Sequence, residues 1–167
     1  MKTASTVIFF LSFLIAGHAQ GYDTTAPYKK DPTIPAFSIL QSDSTWFNKT
    51  ALPKNEPVVI IYFSPDCGHC QLTAHEFVEK MDKFKDVFFV WISYLSVDKI
   101  KTFADEYKLS QYANVRLGRD PKYYVPSFYK VRFTPFIAVY NKNGKFMQAY
   151  EGGTDPATIL KLLNAKS

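Results

Sequence analysis

Two cysteines stand at positions 67 and 70, and the sequence holds no others. They sit in SPDCGHCQ, residues 64–71, separated by Gly68 and His69. A disulfide across so short a loop removes little entropy from the unfolded chain, so it is a poor structural staple. A structural zinc site needs four ligands. Beyond the first 20 residues only His69 and His75 remain as imidazoles, so no metal and no cofactor is assigned. The C-x-x-C spacing suits thiol–disulfide exchange. There the thiolate is the nucleophile, and an ordinary thiol with a pKa of roughly 8.5 is mostly protonated at neutral pH. The chain must therefore place the first sulfur where its anion is favoured and the second within reach of it.

The neighbouring elements are suited to that. Residues 57–64 (PVVIIYFS) form a continuous apolar, β-branched run, the pattern of a strand buried on both faces in a parallel sheet. The period then changes. Cys70, Ala74, Phe77, Val78, Met81 and Phe84 recur at helical spacing, with Gln71, His75, Glu79 and Lys80 on the other side. The cysteines thus lie where a buried strand hands over to a helix. At a helix N-terminus Cys67 meets free backbone N–H groups and the positive end of the dipole. Cys70 lies one turn later on the same face and starts the apolar stripe, so it is expected to be the more buried. Cys67 is read as the nucleophile and Cys70 as the resolving thiol.

The rest of the chain supplies a scaffold. Residues 37–40 read as a short strand, and Ser42 to Asn55 as a mixed stretch in which Trp46, Phe47 and Leu52 cover one edge of the core. Strands follow at 87–94 and 113–117, with a helix from Asp98 to Tyr107 between them. Asp120-Pro121 reads as a helix start, with Pro126 limiting or kinking that helix. Thr134-Pro135 opens the strand PFIAVYN; Lys142-Asn143-Gly144-Lys145 is a hairpin turn, and FMQAYEG returns. Thr154 or Asp155 caps a last helix that begins with Pro156. The order βαβαβαββα implies a central sheet with helices on both faces.

Composition narrows the class. The 167 residues are 47% apolar and 21% charged, as in a globular chain. The net charge of +5 comes without a run of Lys and Arg, so no nucleic-acid partner is inferred. Residues 1–19 read as a cleavable signal peptide: Lys2, the apolar run Val7 to Ala16, then Gly17-His18-Ala19. Residues 20–36 carry Pro27, Pro32 and Pro35 and read as a flexible leader. The expected setting is periplasmic or secreted. Asn48-Lys49-Thr50 is a glycosylation sequon, relevant only in a eukaryotic secretory pathway.

The C-x-x-C after a buried strand, the strand order, and YKVRFTPF (129–136) leading into a hairpin together resemble the thioredoxin superfamily. The helix and strand between 96 and 120 resemble the central insert of TlpA/ResA-like thiol–disulfide oxidoreductases. The resemblance implies a three-layer α/β/α sandwich over residues 37–167, with a mixed central sheet and a helix–strand insert. It makes Pro135 the family's cis-proline opposite the active-site disulfide. It makes Thr134 the residue whose backbone pairs with an extended substrate. The implied partners are protein or small-molecule thiols and disulfides, with a second redox protein to reset the pair, membrane-bound for a reductase; a monomer is expected.

C-G-H-C resembles the active site of protein disulfide isomerases. His69 near the thiolate stabilises the reduced form and makes the disulfide more oxidising. Asp66 acts against it by disfavouring the neighbouring anion, or else caps the helix. Three positions depart from the family. Ile61 stands where thioredoxins carry a buried acid, and Thr73 where TlpA/ResA-like proteins often carry Glu. The strand at 87–94 lacks the thioredoxin lysine. The usual proton acceptor for Cys70 is missing; His75 and Glu76 are near in sequence but face solvent. Two alternatives stay open. A peroxiredoxin-type thiol peroxidase is suggested by Ser64 but opposed by Ile60, which replaces the family's proline. The other is a redox-inactive binding module.

Overall fold

A computed structural model of the chain describes residues 26–165, so the signal-peptide reading lies outside the described residues. Seven strands form one mixed sheet in the order β2-β1-β5-β4-β3-β6-β7. They are β1 (Ser38–Leu40), β2 (Trp46–Asn48), β3 (Val58–Tyr62), β4 (Phe88–Ser93), β5 (Val115–Arg119), β6 (Phe136–Tyr140) and β7 (Phe146–Glu151). β3, β4 and β5 are parallel neighbours, as the continuous apolar runs at 58–62 and 88–93 require. β6 lies antiparallel to β3, and β7 to β6.

Helices cover both faces. Alternate residues of β3 point to opposite sides: Val59 and Ile61 join one core, Val58, Ile60 and Tyr62 the other. The first core takes in α2 (Gly68–Glu79), α3 (Val97–Glu106) and α5 (Pro156–Ala165). The second takes in α4 (Tyr124–Tyr129), with Tyr28 of α1 (Pro27–Lys30) packed against it. The expected α/β/α sandwich with its helix–strand insert, α3 and β5, is therefore present. The apolar stripe is as expected at Cys70, Ala74, Phe77, Met81 and Phe84, all buried. Burying each large side chain of that kind contributes roughly 1.5–3 kcal/mol. α5 begins where expected, and Asp155 is its cap: its carboxylate accepts from Ala157 N at 2.7 Å.

Several details differ from the sequence reading. The mixed stretch contains a strand, β2, paired with β1; Phe47 is buried, but Trp46 stands 55% exposed and covers no core. Pairing fixes alternate residues of a strand on opposite faces, which sends Trp46 outward when Phe47 points in. From Ala26 the stretch read as a leader packs onto the sheet. The Tyr28 ring meets Phe146, Tyr129 and Phe136 at centroid distances of 5.1, 5.5 and 6.4 Å. Thr33 bridges to Lys145. Asp120-Pro121 does not start the fourth helix. Asp120 is buried and accepts from Lys122 N at 3.2 Å and Val125 N at 2.7 Å, while Tyr123 takes φ 52°. The carboxylate serves a turn, and helical geometry begins only at Tyr124. α3 starts at Val97, capped by Ser96, whose hydroxyl accepts from Lys99 N at 3.4 Å. Gly118 in β5 is required by close approach: a Cβ there would sit 2.9 Å from both Ile39 Cγ1 and the Leu40 carbonyl oxygen.

Candidate active site

β3 ends at Tyr62, and after five intervening residues the chain enters α2 at Gly68. Cys67 is the N-cap residue of α2, with extended backbone angles (φ −100°, ψ 118°). Its carbonyl accepts from Cys70 N at 2.9 Å and Gln71 N at 3.0 Å, so the first turn winds directly on the cysteine. No side chain caps this end. Asp66 does not cap the helix and instead points to the insert: one oxygen lies 2.6 Å from Lys99 Nζ at the start of α3. The acid beside Cys67 is thus paired with a cation that the sequence reading did not identify.

Both cysteines are free thiols, Cys67 half-buried and Cys70 fully buried. The Cys67 thiol donates to the Thr134 carbonyl oxygen at 3.6 Å. Ser64 N donates to Cys70 Sγ at 3.5 Å. Burial alone would raise the Cys67 pKa. Hydrogen bonds from the Thr134 side chain, the Cys70 N–H and thiol, and the His69 N–H outweigh it and hold the group below its ordinary value. Cys70 goes the other way. Burial pushes it up to about 12, reinforced by the neighbouring Cys67 sulfur and only partly opposed by the Ser64 N–H and Thr134. Two identical side chains therefore have well-separated acidities.

The Thr134–Pro135 peptide is cis, as the resemblance implied. Pro135 is buried; Thr134 is half-buried against Cys67, and Phe133 just before it is 63% exposed. Gly68 and His69 are exposed in the first turn of α2, where His69 offers Cys67 its backbone N–H. Ile61 and Trp91 are directly opposite each other on β3 and β4, both fully buried in the core that holds Cys70. Thr73 is buried, while His75 faces solvent 3.6 Å from Glu79. The influences on Cys70 come from burial, an amide, a hydroxyl side chain and a sulfur, with no carboxylate among them.

One contributor was not foreseen. Gly153, in the loop after β7, has φ 97°, and a Cβ there would lie 3.2 Å from Pro135 Cγ and 3.3 Å from Thr73 Oγ1. The loop thus wedges between the cis-proline and α2. Gly152-Gly153 beyond a strand could have signalled a left-handed turn, but not its contact. Among the described residues no group of three His, Cys, Asp or Glu side chains could hold a metal ion.

A family model for the thioredoxin-like domain matches residues 48–167. The chain is 25% identical over 138 residues, 83% of its length, to a probable protein disulfide-isomerase A6 of Medicago sativa. It spans about a third of that relative, 32% of its length. Among solved structures, a secreted Mycobacterium tuberculosis disulfide oxidoreductase homologous to Escherichia coli DsbE superposes with a TM-score of 0.64. The identity is 19%, over 78% of this chain and 96% of that one. The peroxidoxin BcpB of the same organism gives 0.68 at 18% identity, over 81% and 96%. At these identities the two structures speak to the fold alone.

Proposed function

This chain belongs to the thioredoxin-like domain family, and we propose that it is an extracytoplasmic thiol–disulfide oxidoreductase in which Cys67 attacks and Cys70 resolves. The observation that carries this reading is the split between the two thiols: Cys67 held below the ordinary value, Cys70 pushed up to about 12. A thiolate at Cys67 attacks a substrate disulfide, forming a mixed disulfide and releasing one substrate thiolate. Cys70 then gives up its proton and attacks Cys67 Sγ. The second substrate thiolate leaves, and two electrons have passed from the pair to the substrate. The reverse sequence oxidises a substrate dithiol.

Thr134 and Pro135 frame the approach. In this reading the Thr134 carbonyl, now engaged by the Cys67 thiol at 3.6 Å, turns to an amide of an extended substrate, adding a short strand at the site. The departing substrate thiolate takes the Cys70 proton, since Ile61 stands in the place of a buried acid. His69 and Gly68 set how oxidising the pair is, with Asp66 neutralised by Lys99. The secretion stated for the Mycobacterium tuberculosis neighbour is in keeping with the signal-peptide reading of residues 1–19.

The test is trapping. Cys70→Ser should accumulate a mixed disulfide with a peptide disulfide on non-reducing gels, and Cys67→Ser should reduce exchange to background. Retained exchange in Cys67→Ser would overturn the mechanism. The reduction potential then assigns direction, near about −270 mV for a reductase and toward about −120 mV for an oxidant.

A further inference from the structure

The end of the sheet that carries Cys67 is lined with aromatic rings open to solvent. Tyr94 follows β4, Tyr123 and Tyr124 follow β5, and Phe133 adjoins the Thr134 carbonyl that contacts Cys67. Their exposures are 37%, 51%, 39% and 63%. Tyr94 and Tyr123 stack on each other with centroids 5.5 Å apart and planes 28° apart. Arg119 Nε donates to the Tyr94 carbonyl at 3.2 Å, tying the end of β5 to the segment after β4. Tyr123 holds φ 52°, a conformation uncommon for a bulky side chain and easier for Asn or Gly. The ring it presents fills no core.

Charge is concentrated in the same place. Residues 119–133 (RDPKYYVPSFYKVRF) contain four cations and one acid. That acid, Asp120, is buried, and each of its oxygens accepts a backbone N–H. Lys122, Lys130 and Arg132 are exposed, with Arg132 paired to Glu151 at 2.9 Å. The cations are spaced along one segment, and with Asp120 buried that segment lends a positive, aromatic rim to the end of the sheet that carries Cys67.

We propose that this rim docks an extended acidic polypeptide segment bearing an aromatic side chain, next to the disulfide on which Cys67 acts. The inference deepens the exchange reading and rests on it for its purpose, but the docking itself requires no sulfur chemistry. The rings offer rigid apolar area and stacking partners. The cations favour acidic segments and speed their encounter. Acidic, aromatic-flanked cysteines are the substrate class this selects.

Binding is measured on the Cys67→Ser/Cys70→Ser protein with fluorescent cysteine-free peptides that differ only in flanks, acidic-aromatic against basic-aromatic. The acidic peptide should bind at least about fivefold more tightly at low salt, with the margin shrinking as salt screens it. Lys122→Glu should narrow the margin, whereas Lys142→Glu, the same charge change on the far hairpin, should not; Tyr123→Asn should weaken both peptides and leave the margin, because both carry the aromatic flank. Equal binding of the two peptides overturns the proposal. So does equal loss in Lys122→Glu and Lys142→Glu, which would make the preference one of net charge. Preference for anionic lipid vesicles over the acidic peptide also overturns it. Exchange by the native protein with matching peptide disulfides is scored separately. Acidic-peptide binding without exchange leaves the docking standing and removes the exchange reading.

Discussion

At Cys67 the surroundings are polar: a carbonyl and side chain from Thr134, the N–H groups of His69 and Cys70, and solvent. At Cys70, one helical turn on, they are a core containing Ile61, Phe63, Ala74, Phe77 and Trp91. The first position lowers its thiol's pKa and the second raises it to about 12. Residue type contributes nothing to this difference, since both are cysteine. Position on the helix does it: an N-cap residue keeps its side chain among unsatisfied amides, while a residue inside the first turn is carried onto the buried face. In the proposed mechanism attack and resolution are thus divided between two identical groups by about 1.5 Å of rise per residue and one turn of rotation.

The most disruptive way to challenge that division is to bring a charge to the dry side. Ile61→Asp places a carboxylate in the core that holds Cys70. It should cost roughly 3 kcal/mol of stability at neutral pH, read by denaturant unfolding. It should also quicken the resolving step near pH 7 in single-turnover exchange, by supplying the missing proton acceptor. Destabilisation without faster resolution would mean that deprotonation of Cys70 does not limit the native protein.

A smaller effect is expected on the polar side, at the loop that steadies Pro135. Gly153→Ala combines φ 97° with a Cβ 3.2 Å from Pro135 Cγ. It should cost about 1–2 kcal/mol and slow exchange several-fold, because the ring and the Thr134 carbonyl beside it must shift. An alanine variant with native stability and exchange rate would show that the loop does not position the cis-proline.

The smallest effect concerns Asp66. Its partner Lys99 is more than half exposed, as is Asp66 itself, and exposed pairs are weak. Lys99→Ala should move the midpoint of Cys67 alkylation upward by less than about half a pH unit, visible only at low salt. A downward movement would mean that the Asp66 charge does not oppose the thiolate.

The parts of this site that could be read from sequence are those encoded by local pattern. The apolar run at 57–64 and the helical period from Cys70 place both sulfurs at a strand–helix junction. The parts that could not be read depend on contacts between distant segments. Lys99 reaches Asp66 from 33 residues away, and Gly153 meets Pro135 only because β7 returns beside β6. Asp120 misled because a cap and a turn use the same carboxylate chemistry, and only the left-handed Tyr123 separates them. β2 is three residues long, too short for its alternation to emerge from a mixed stretch. Tyr28 docks through rings contributed by Tyr129, Phe136 and Phe146, none of which its own neighbours in sequence announce.

The central claim, two thiols of opposed acidity, is tested most directly by alkylating the reduced protein across pH and following each cysteine by mass spectrometry. Thiolates react and thiols do not, so each rate rises as pH passes the group's pKa. Cys67 is expected to react with a midpoint below the ordinary value of roughly 8.5, while Cys70 stays unmodified until the pH approaches about 12. Two cysteines titrating together in the ordinary thiol range, or Cys70 reacting first, would contradict it.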